Sequence, residues 1–165
     1  MEKNVSLKHF ILRNGSTLVH YALEKIIPLF PSLETLEGVA LSDDLLPVLA
    51  LNSQKTLKKL VCVTTDLSEC KALGLCRNIE VLNLSNSNIK DEDLMHVATC
   101  LNGQLTEVYL NKCKNISSDT ITALLQRCPK VRQLHLSGES QTTRLLYHYN
   151  SCRLCAADRC VVTLT

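Results

Sequence analysis

The residues best suited to chemistry stand together near the C-terminal end of the sequence. Four soft metal ligands occur within residues 148–160, namely His148, Cys152, Cys155 and Cys160. Thiolate and imidazole groups of this kind form tetrahedral zinc sites. A Cys-x-x-Cys pair normally works with a second, distant pair, whereas these four residues are crowded together. We therefore expect no cofactor and interpret the segment as a capping or poorly ordered extension in which residues 160–164 add a strand. A zinc site is the alternative.

Other combinations of catalytic residue types do not favour an enzyme. Glu107 and His135 could be neighbours on adjacent strands, and the chain has nine cysteines. The sequence contains no Gly-x-Ser-x-Gly, P-loop or dinucleotide-binding pattern, and only five glycines are available for loops that bind phosphate. We therefore predict that the protein is not an enzyme.

The cysteine content also bears on the cellular compartment. Nine is an odd number, and residues 1–6 are polar and unlike the start of a signal peptide. Free thiols are typical of cytoplasmic and nuclear proteins, where they pack as small apolar side chains and stay protonated when buried. We therefore expect a cytoplasmic or nuclear protein.

Charge and hydropathy exclude two further classes of partner. The net charge is +2, and acidic and basic residues are interspersed without the basic stripe that binds phosphates. No apolar run reaches the ~20 residues that span a bilayer. We expect neither nucleic-acid binding nor membrane insertion.

An internal repeat supplies the elements that must position any functional residue. An apolar pattern of the form Leu-x-x-Leu-x-Leu occurs six times at spacings of 22–26 residues, with first positions at Leu7, Leu33, Leu57, Ile79, Leu105 and Val131. This is the period of leucine-rich repeats, in which each strand is followed by a returning helical segment. We predict an α/β leucine-rich-repeat solenoid, or horseshoe, with parallel strands on its concave face and helices on its convex face. About six repeats occupy residues 1–138, and residues 139–165 form a non-repeat tail.

The repeats differ in regularity. After Lys90 and after Ser117 the spacing of apolar residues predicts well-formed helices. An earlier helix is expected to point Leu18, Ala22 and Ile26 inward. The second unit has Gly38 where an inward leucine belongs, and the unit from Leu57 has little room for a helix.

Residues 76–138 resemble the cysteine-containing leucine-rich repeats of F-box/LRR proteins. The matching segments are Cys76-x-x-Ile79-x-x-Leu82-x-Leu84, Leu110-x-x-Cys113-x-x-Ile116-x-x-Asp119 and Cys128-Pro129-x-Val131-x-x-Leu134-x-Leu136. In that class one cysteine ends each helix and another follows the strand, which implies core packing for Cys76, Cys100, Cys113 and Cys128. The resemblance also implies that the repeats recognise a substrate for a ubiquitin ligase, whose Skp-type adaptor binds an F-box. Because the first repeat begins at Leu7, we expect no F-box of ~40–50 residues in this sequence.

A second short pattern bears on adaptor binding. Thr17-Leu18-x-x-x-Ala22-x-x-x-Ile26 resembles a degenerate BC-box, the helix through which some such proteins recruit elongin. Packing of an amphipathic helix against the core gives the same spacing and is the alternative.

The outward residues of the predicted strands form the candidate binding face. We assign partner binding to Lys59, Val81, Asn83, Glu107, Tyr109, Asn111, Gln133 and His135. Tyr109 is the candidate anchor, since aromatic residues at the centre of an interface often dominate binding; a residue that merely favours strands is the alternative. The predicted function is a non-enzymatic protein-binding module of the F-box/LRR type. The alternative is a scaffold or regulatory adaptor without a ubiquitin ligase link.

Overall fold

A single parallel sheet organises the protein. The fold is known from a computed structural model that describes residues 6–12, 19–68, 70–137 and 161–164. Seven strands lie side by side in sequence order, and every neighbouring pair is parallel. The strands are β1 (His9–Ile11), β2 (Thr35–Ser42), β3 (Lys59–Asp66), β4 (Val81–Asn83), β5 (Glu107–Tyr109), β6 (Gln133–Leu136) and β7 (Val161–Leu164). The prediction of an α/β fold with parallel strands is confirmed, as is the added strand within residues 160–164.

Helical segments connect these strands. They are α1 (Val19–Ile26), α2 (Leu45–Ser53), α3 (Asp91–Cys100), α4 (Ser118–Arg127) and two 3₁₀ helices, Ile27–Leu29 and Lys71–Leu75. The segment after β3 forms only a 3₁₀ helix, as its limited length predicted. Consecutive helical segments contact one another from α1 to α4, so they lie on the same face of the sheet. Across the described ranges, no helix combines the length and the apolar character that crossing a membrane requires.

The core lies between the sheet and these helical segments. One residue at the centre of each strand from β1 to β6 points into it, because side chains alternate between the two faces of a strand. Leu36, Leu60, Leu82, Val108 and Leu134 occupy this position in β2 to β6, and all five have no exposed surface. Phe10, the equivalent residue of β1, is half-buried and stacks on Phe30 with ring centroids 5.9 Å apart.

Local interactions at the N-terminal ends explain where the last two α-helices begin. In α4 the Ser117 hydroxyl accepts a hydrogen bond from the backbone N–H of Thr120 at 3.2 Å. This bond satisfies one of the N–H groups that a helix leaves free at its start. In α3 the first turn carries three acidic residues, Asp91–Asp93, which complement the positive end of the helix dipole. Both helices begin where the sequence predicted.

The segment around Gly38 differs from the expectation. Gly38 adopts a φ of +77°, in the region that favours glycine. The register of β2 on β3 shifts at this point, so that Val39 rather than Gly38 pairs with Cys62. Val39 is 1 % exposed. The missing leucine therefore leaves no gap, because the bulge rotates the next residue into the core.

The inward stripe of α1 was also assigned wrongly. Ala22 is exposed and Ile26 is half-buried, whereas Leu23 and Ile27 are buried. The buried stripe is displaced by one residue from the predicted one, and its second member, Ile27, opens the 3₁₀ helix that follows α1. Thr17 and Leu18, the first residues of the BC-box-like pattern, lie outside the described residues.

Cysteines fill core positions, in line with the expectation, with two partial exceptions. Cys62, Cys70, Cys76 and Cys128 are buried, Cys100 and Cys113 are half-buried, and all six are free thiols. Sulfur atoms also link neighbouring segments through hydrogen bonds to backbone carbonyls, from Cys128 to Ala98 at 3.4 Å and from Cys113 to Leu84 at 3.1 Å. Burial raises the pKa of Cys70 to about 12 and the pKa of Cys76 and Cys128 to about 11. These three thiols are protonated at neutral pH and are poor nucleophiles.

Candidate partner-binding face

The face of the sheet that points away from the helices carries two rows of polar and apolar side chains, which we call the open face. Register fixes these rows, because directly paired residues of parallel strands lie on the same side. The first row runs through Lys59, Val81, Glu107 and Gln133, and the second runs through Glu37, Val61, Asn83, Tyr109 and His135. Seven of the eight residues assigned to partner binding therefore lie in these two rows.

The half of the open face formed by β1 to β3 is held by polar contacts within the protein. The Lys59 Nζ lies 2.9 Å from Glu37 Oε2. His9 Nδ1 and the Thr35 hydroxyl are 3.0 Å apart on the neighbouring pair of strands. These four polar side chains therefore already have partners within the protein.

Tyr109 and His135 form the centre of the other half. Their rings stack with centroids 4.1 Å apart and planes 1° apart, an arrangement that follows from the direct pairing of the two residues across β5 and β6. The Tyr109 hydroxyl donates a hydrogen bond to Glu107 Oε2 at 3.3 Å. Partial burial, together with the Glu107 carboxylate, raises the pKa of Tyr109, so that the phenol keeps its proton. Tyr109 is thus half-buried in a cluster rather than a freely exposed ring.

Asn83 and Asn111 shape the end of this cluster. Asn83 Oδ1 accepts a hydrogen bond from the Ser85 backbone N–H at 2.9 Å, which orders the chain after β4. Asn111 follows β5, and its backbone N–H donates to the Ser85 hydroxyl at 3.1 Å. Asn111 therefore lies just beyond the two rows, at the point where β5 turns toward α4.

Two polar atoms next to this cluster are buried without a hydrogen-bond partner. These are Asn111 Oδ1 and His135 Nε2, and the statement holds for the part of the chain that the structure describes. A buried polar atom without a partner costs about 1–3 kcal/mol. Buried polar groups usually have a hydrogen-bond partner in the protein or in ordered water, and no described residue supplies one to these two atoms.

The two residues considered as a catalytic pair lie on adjacent strands, β5 and β6. Register sets Glu107 opposite Gln133, so Glu107 and His135 are diagonal neighbours. The hydroxyl that contacts Glu107 belongs to Tyr109 and not to a reactive serine or cysteine.

One pair with possible chemistry was missed by sequence analysis. Cys100 was assigned to core packing, yet it is half-buried, and its Sγ lies 3.8 Å from Nε2 of His96. The four-residue spacing on α3 is the signal that could have revealed the pair, since such residues lie on one side of a helix. The proposed tail ligands His148, Cys152, Cys155 and Cys160 lie outside the described residues. Within those residues no group of three or more potential metal ligands occurs.

No family model matches the sequence, and no curated protein shows significant similarity to it.

Proposed function

We propose that the chain is a leucine-rich-repeat solenoid with strands on its concave side and helices on its convex side. The support is the repetition of one unit along the whole described sheet. Each strand is parallel to the preceding one and follows it directly, and equivalent turns after β4 and β5 both contain a non-glycine residue with positive φ, Asn86 at 62° and Lys112 at 60°. Units that repeat in this way stack into a continuous core and leave one face for contacts.

The proposed function is non-enzymatic binding of a protein at the open face. The observation that carries this proposal is the cluster of Tyr109, His135 and Glu107 on a face that the helices do not cover. Tyrosine is enriched among the residues that dominate protein interfaces, and Tyr109 is held there by its stacking on His135 and its hydrogen bond to Glu107. Gln133 is exposed beside the cluster and adds a side chain that both donates and accepts.

A ubiquitin ligase link is the more specific form of this proposal. It rests on the resemblance of residues 76–138 to the repeats of F-box/LRR proteins, and the hydrogen bonds from Cys113 and Cys128 to neighbouring carbonyls give those cysteines a role in holding repeats together. In this form the protein recognises a substrate and associates with a Skp-type or elongin adaptor in the cytoplasm or nucleus. A scaffold or regulatory adaptor without a ligase link uses the same face.

Affinity purification with matched variants tests the binding face. The full chain is expressed as wild type, as Tyr109→Ala combined with His135→Ala, and as Gln126→Ala, whose site is exposed on α4 on the other side of the sheet. We expect partners recovered by the wild type and by Gln126→Ala to be lost with the double variant. Circular dichroism of each variant establishes that the fold is intact.

The same purification separates the two forms of the proposal. Recovery of Skp-type or elongin adaptors supports the ligase link, and their absence alongside other specific partners favours the scaffold. If the folded double variant recovers every partner of the wild type, the open face is not the binding surface and the proposal is wrong.

A further inference from the structure

We infer that His96 and Cys100 form a two-residue binding site for a thiophilic divalent metal ion such as zinc. The pair lies on α3, in the helical layer and on the opposite side of the sheet from Tyr109. The two side chains are four residues apart and share one side of the helix. The inference does not depend on the proposed function of the open face.

The distance between the two donor atoms matches shared coordination of one ion. Zinc binds sulfur at about 2.3 Å and imidazole nitrogen at about 2.0–2.1 Å. With these bond lengths, the 3.8 Å between Cys100 Sγ and His96 Nε2 corresponds to an angle of about 120° at the metal. That value lies close to tetrahedral and trigonal geometry, so one ion can bind both atoms with little movement of either side chain.

Gly74 provides the space in which the pair is held. It belongs to the 3₁₀ helix that packs against α3, and it is buried. A Cβ atom at this position would lie 2.9 Å from Cys100 Sγ and 3.0 Å from His96 Nε2. Both donor atoms therefore lie directly over the glycine, and any larger residue there would displace them.

Electrostatics at this end of α3 favours a cation. Cys100 is the last residue of the helix, where the dipole is negative, and the last turn contains no basic residue. One positive group is near, since the Arg127 guanidinium donates to the Thr99 hydroxyl at 2.8 Å. This charge opposes metal binding in part, so we expect an affinity below that of a four-ligand site.

The site has two protein ligands, so its other coordination positions are open to water or to a side chain of a partner. Binding requires neutral His96 and the thiolate of Cys100. The incoming ion therefore displaces the thiol proton into solvent, and the nitrogen lone pair and the sulfur each form one bond to the metal.

Titration of the reduced full chain with cadmium and zinc ions tests the site. Sulfur-to-cadmium charge-transfer absorbance reports thiolate coordination, and competition with a chromophoric chelator gives the zinc affinity. The parent protein for these titrations carries serine at Cys152, Cys155 and Cys160, which removes the thiols of the tail. We expect binding of one equivalent by this parent and at least about a tenfold loss of affinity in Cys100→Ser and in His96→Gln.

Two further variants distinguish a site from a general effect of thiols. Cys113→Ser removes the other half-buried thiol and should bind metal as the parent does. Gly74→Ala should weaken binding, and its denaturation curve shows whether the fold survives. If the parent binds no stoichiometric metal, or if His96→Gln binds as tightly as the parent, then His96 and Cys100 form only a weak S–H···N hydrogen bond and the inference is wrong.

Discussion

Replacing Gly38 by alanine tests how the first two strands are joined. Gly38 combines a φ of +77° with a position at which any Cβ atom would overlap the carbonyl oxygen of Leu12. The chain next to Leu12 is fixed by a hydrogen bond from its backbone N–H to the Glu37 carbonyl at 2.9 Å. An added methyl group therefore meets backbone rather than a side chain that could rotate away.

The expected loss of stability follows from two contributions. A left-handed φ costs a residue other than glycine about 1–2 kcal/mol. Moving Leu12 away from the new methyl group breaks its hydrogen bond to Glu37, which contributes about 0.5–1.5 kcal/mol. We therefore expect Gly38→Ala to lower the free energy of unfolding by about 1.5–3.5 kcal/mol.

Urea denaturation followed by circular dichroism measures this change. Gly103→Ala is the matched control, because nothing lies within 4 Å of a Cβ at that exposed position, and it should be neutral or stabilising by up to about 1 kcal/mol. Gly38→Asn separates the two contributions. Asparagine tolerates a positive φ, so the backbone cost is reduced, but its Cβ still clashes with the Leu12 carbonyl. If Gly38→Ala unfolds within about 0.5 kcal/mol of the wild type, the bulge does not constrain β1 as the structure indicates.

Two further predictions concern pH. Hydrogen-bonded ion pairs from Lys58 and Lys8, at 2.7 and 2.8 Å, lower the pKa of Glu34 from 4.5 to about 2. The stabilisation is complete above pH 4.5 and is lost as the pH falls toward 2, so Glu34→Gln should flatten the acid dependence of the urea midpoint; an unchanged dependence would contradict the role of the ion pairs. Burial raises the pKa of Cys76 and Cys128 from 9.0 to about 11. The folded state holds these protons more tightly than the unfolded state, so stability should fall as the pH rises from about 9 to 11, with a smaller fall in Cys128→Ala. Equal alkaline slopes for variant and wild type would show that Cys128 is not the titrating group.

The main architecture could be predicted because one pattern recurs. The repeat units that begin at Leu57, Ile79, Leu105 and Val131 contain the strands β3, β4, β5 and β6. These strands pair in parallel, as predicted. Because each unit places its apolar residues at the same positions, the regular units indicate where the strand lies in an irregular unit. The helices after Lys90 and Ser117 could be located for the same reason.

Irregular positions could not be predicted, because backbone geometry decides them. An apolar pattern indicates which residues face the core, but it does not show where a bulge changes the alternation of side chains. The sequence therefore predicts Gly38 at an inward position that Val39 occupies in the structure. In the short helix α1 and the 3₁₀ turn after it, several assignments of the buried stripe fit the sequence, and Leu23 and Ile27 occupy it rather than Ala22 and Ile26. The eight residues of this helix constrain the stripe less than the longer α3 and α4 do.

The candidate site could be predicted as a set of residues on one face but not as a set of contacts. The alternation of side chains placed Tyr109 and His135 on the open face. Their stacking depends on the register of β5 on β6, which brings together residues that are 26 positions apart. The sequence therefore predicts Tyr109 as a single anchor residue, whereas in the structure Tyr109 is half-buried and stacks on His135.

The two halves of the open face should contribute unequally to binding. Lys59 is engaged by Glu37 within the protein, so a partner that contacts this lysine must compete with an existing ion pair. Near His135, by contrast, the described residues form no ion pair, and the Tyr109–His135 ring pair offers an aromatic surface for contact. For a partner identified by affinity purification, we expect Tyr109→Ala to weaken binding by about 2 kcal/mol or more and Lys59→Ala by less than about 1 kcal/mol. Isothermal titration calorimetry with both variants measures the difference, and a larger loss for Lys59→Ala would move the centre of the interface to β3.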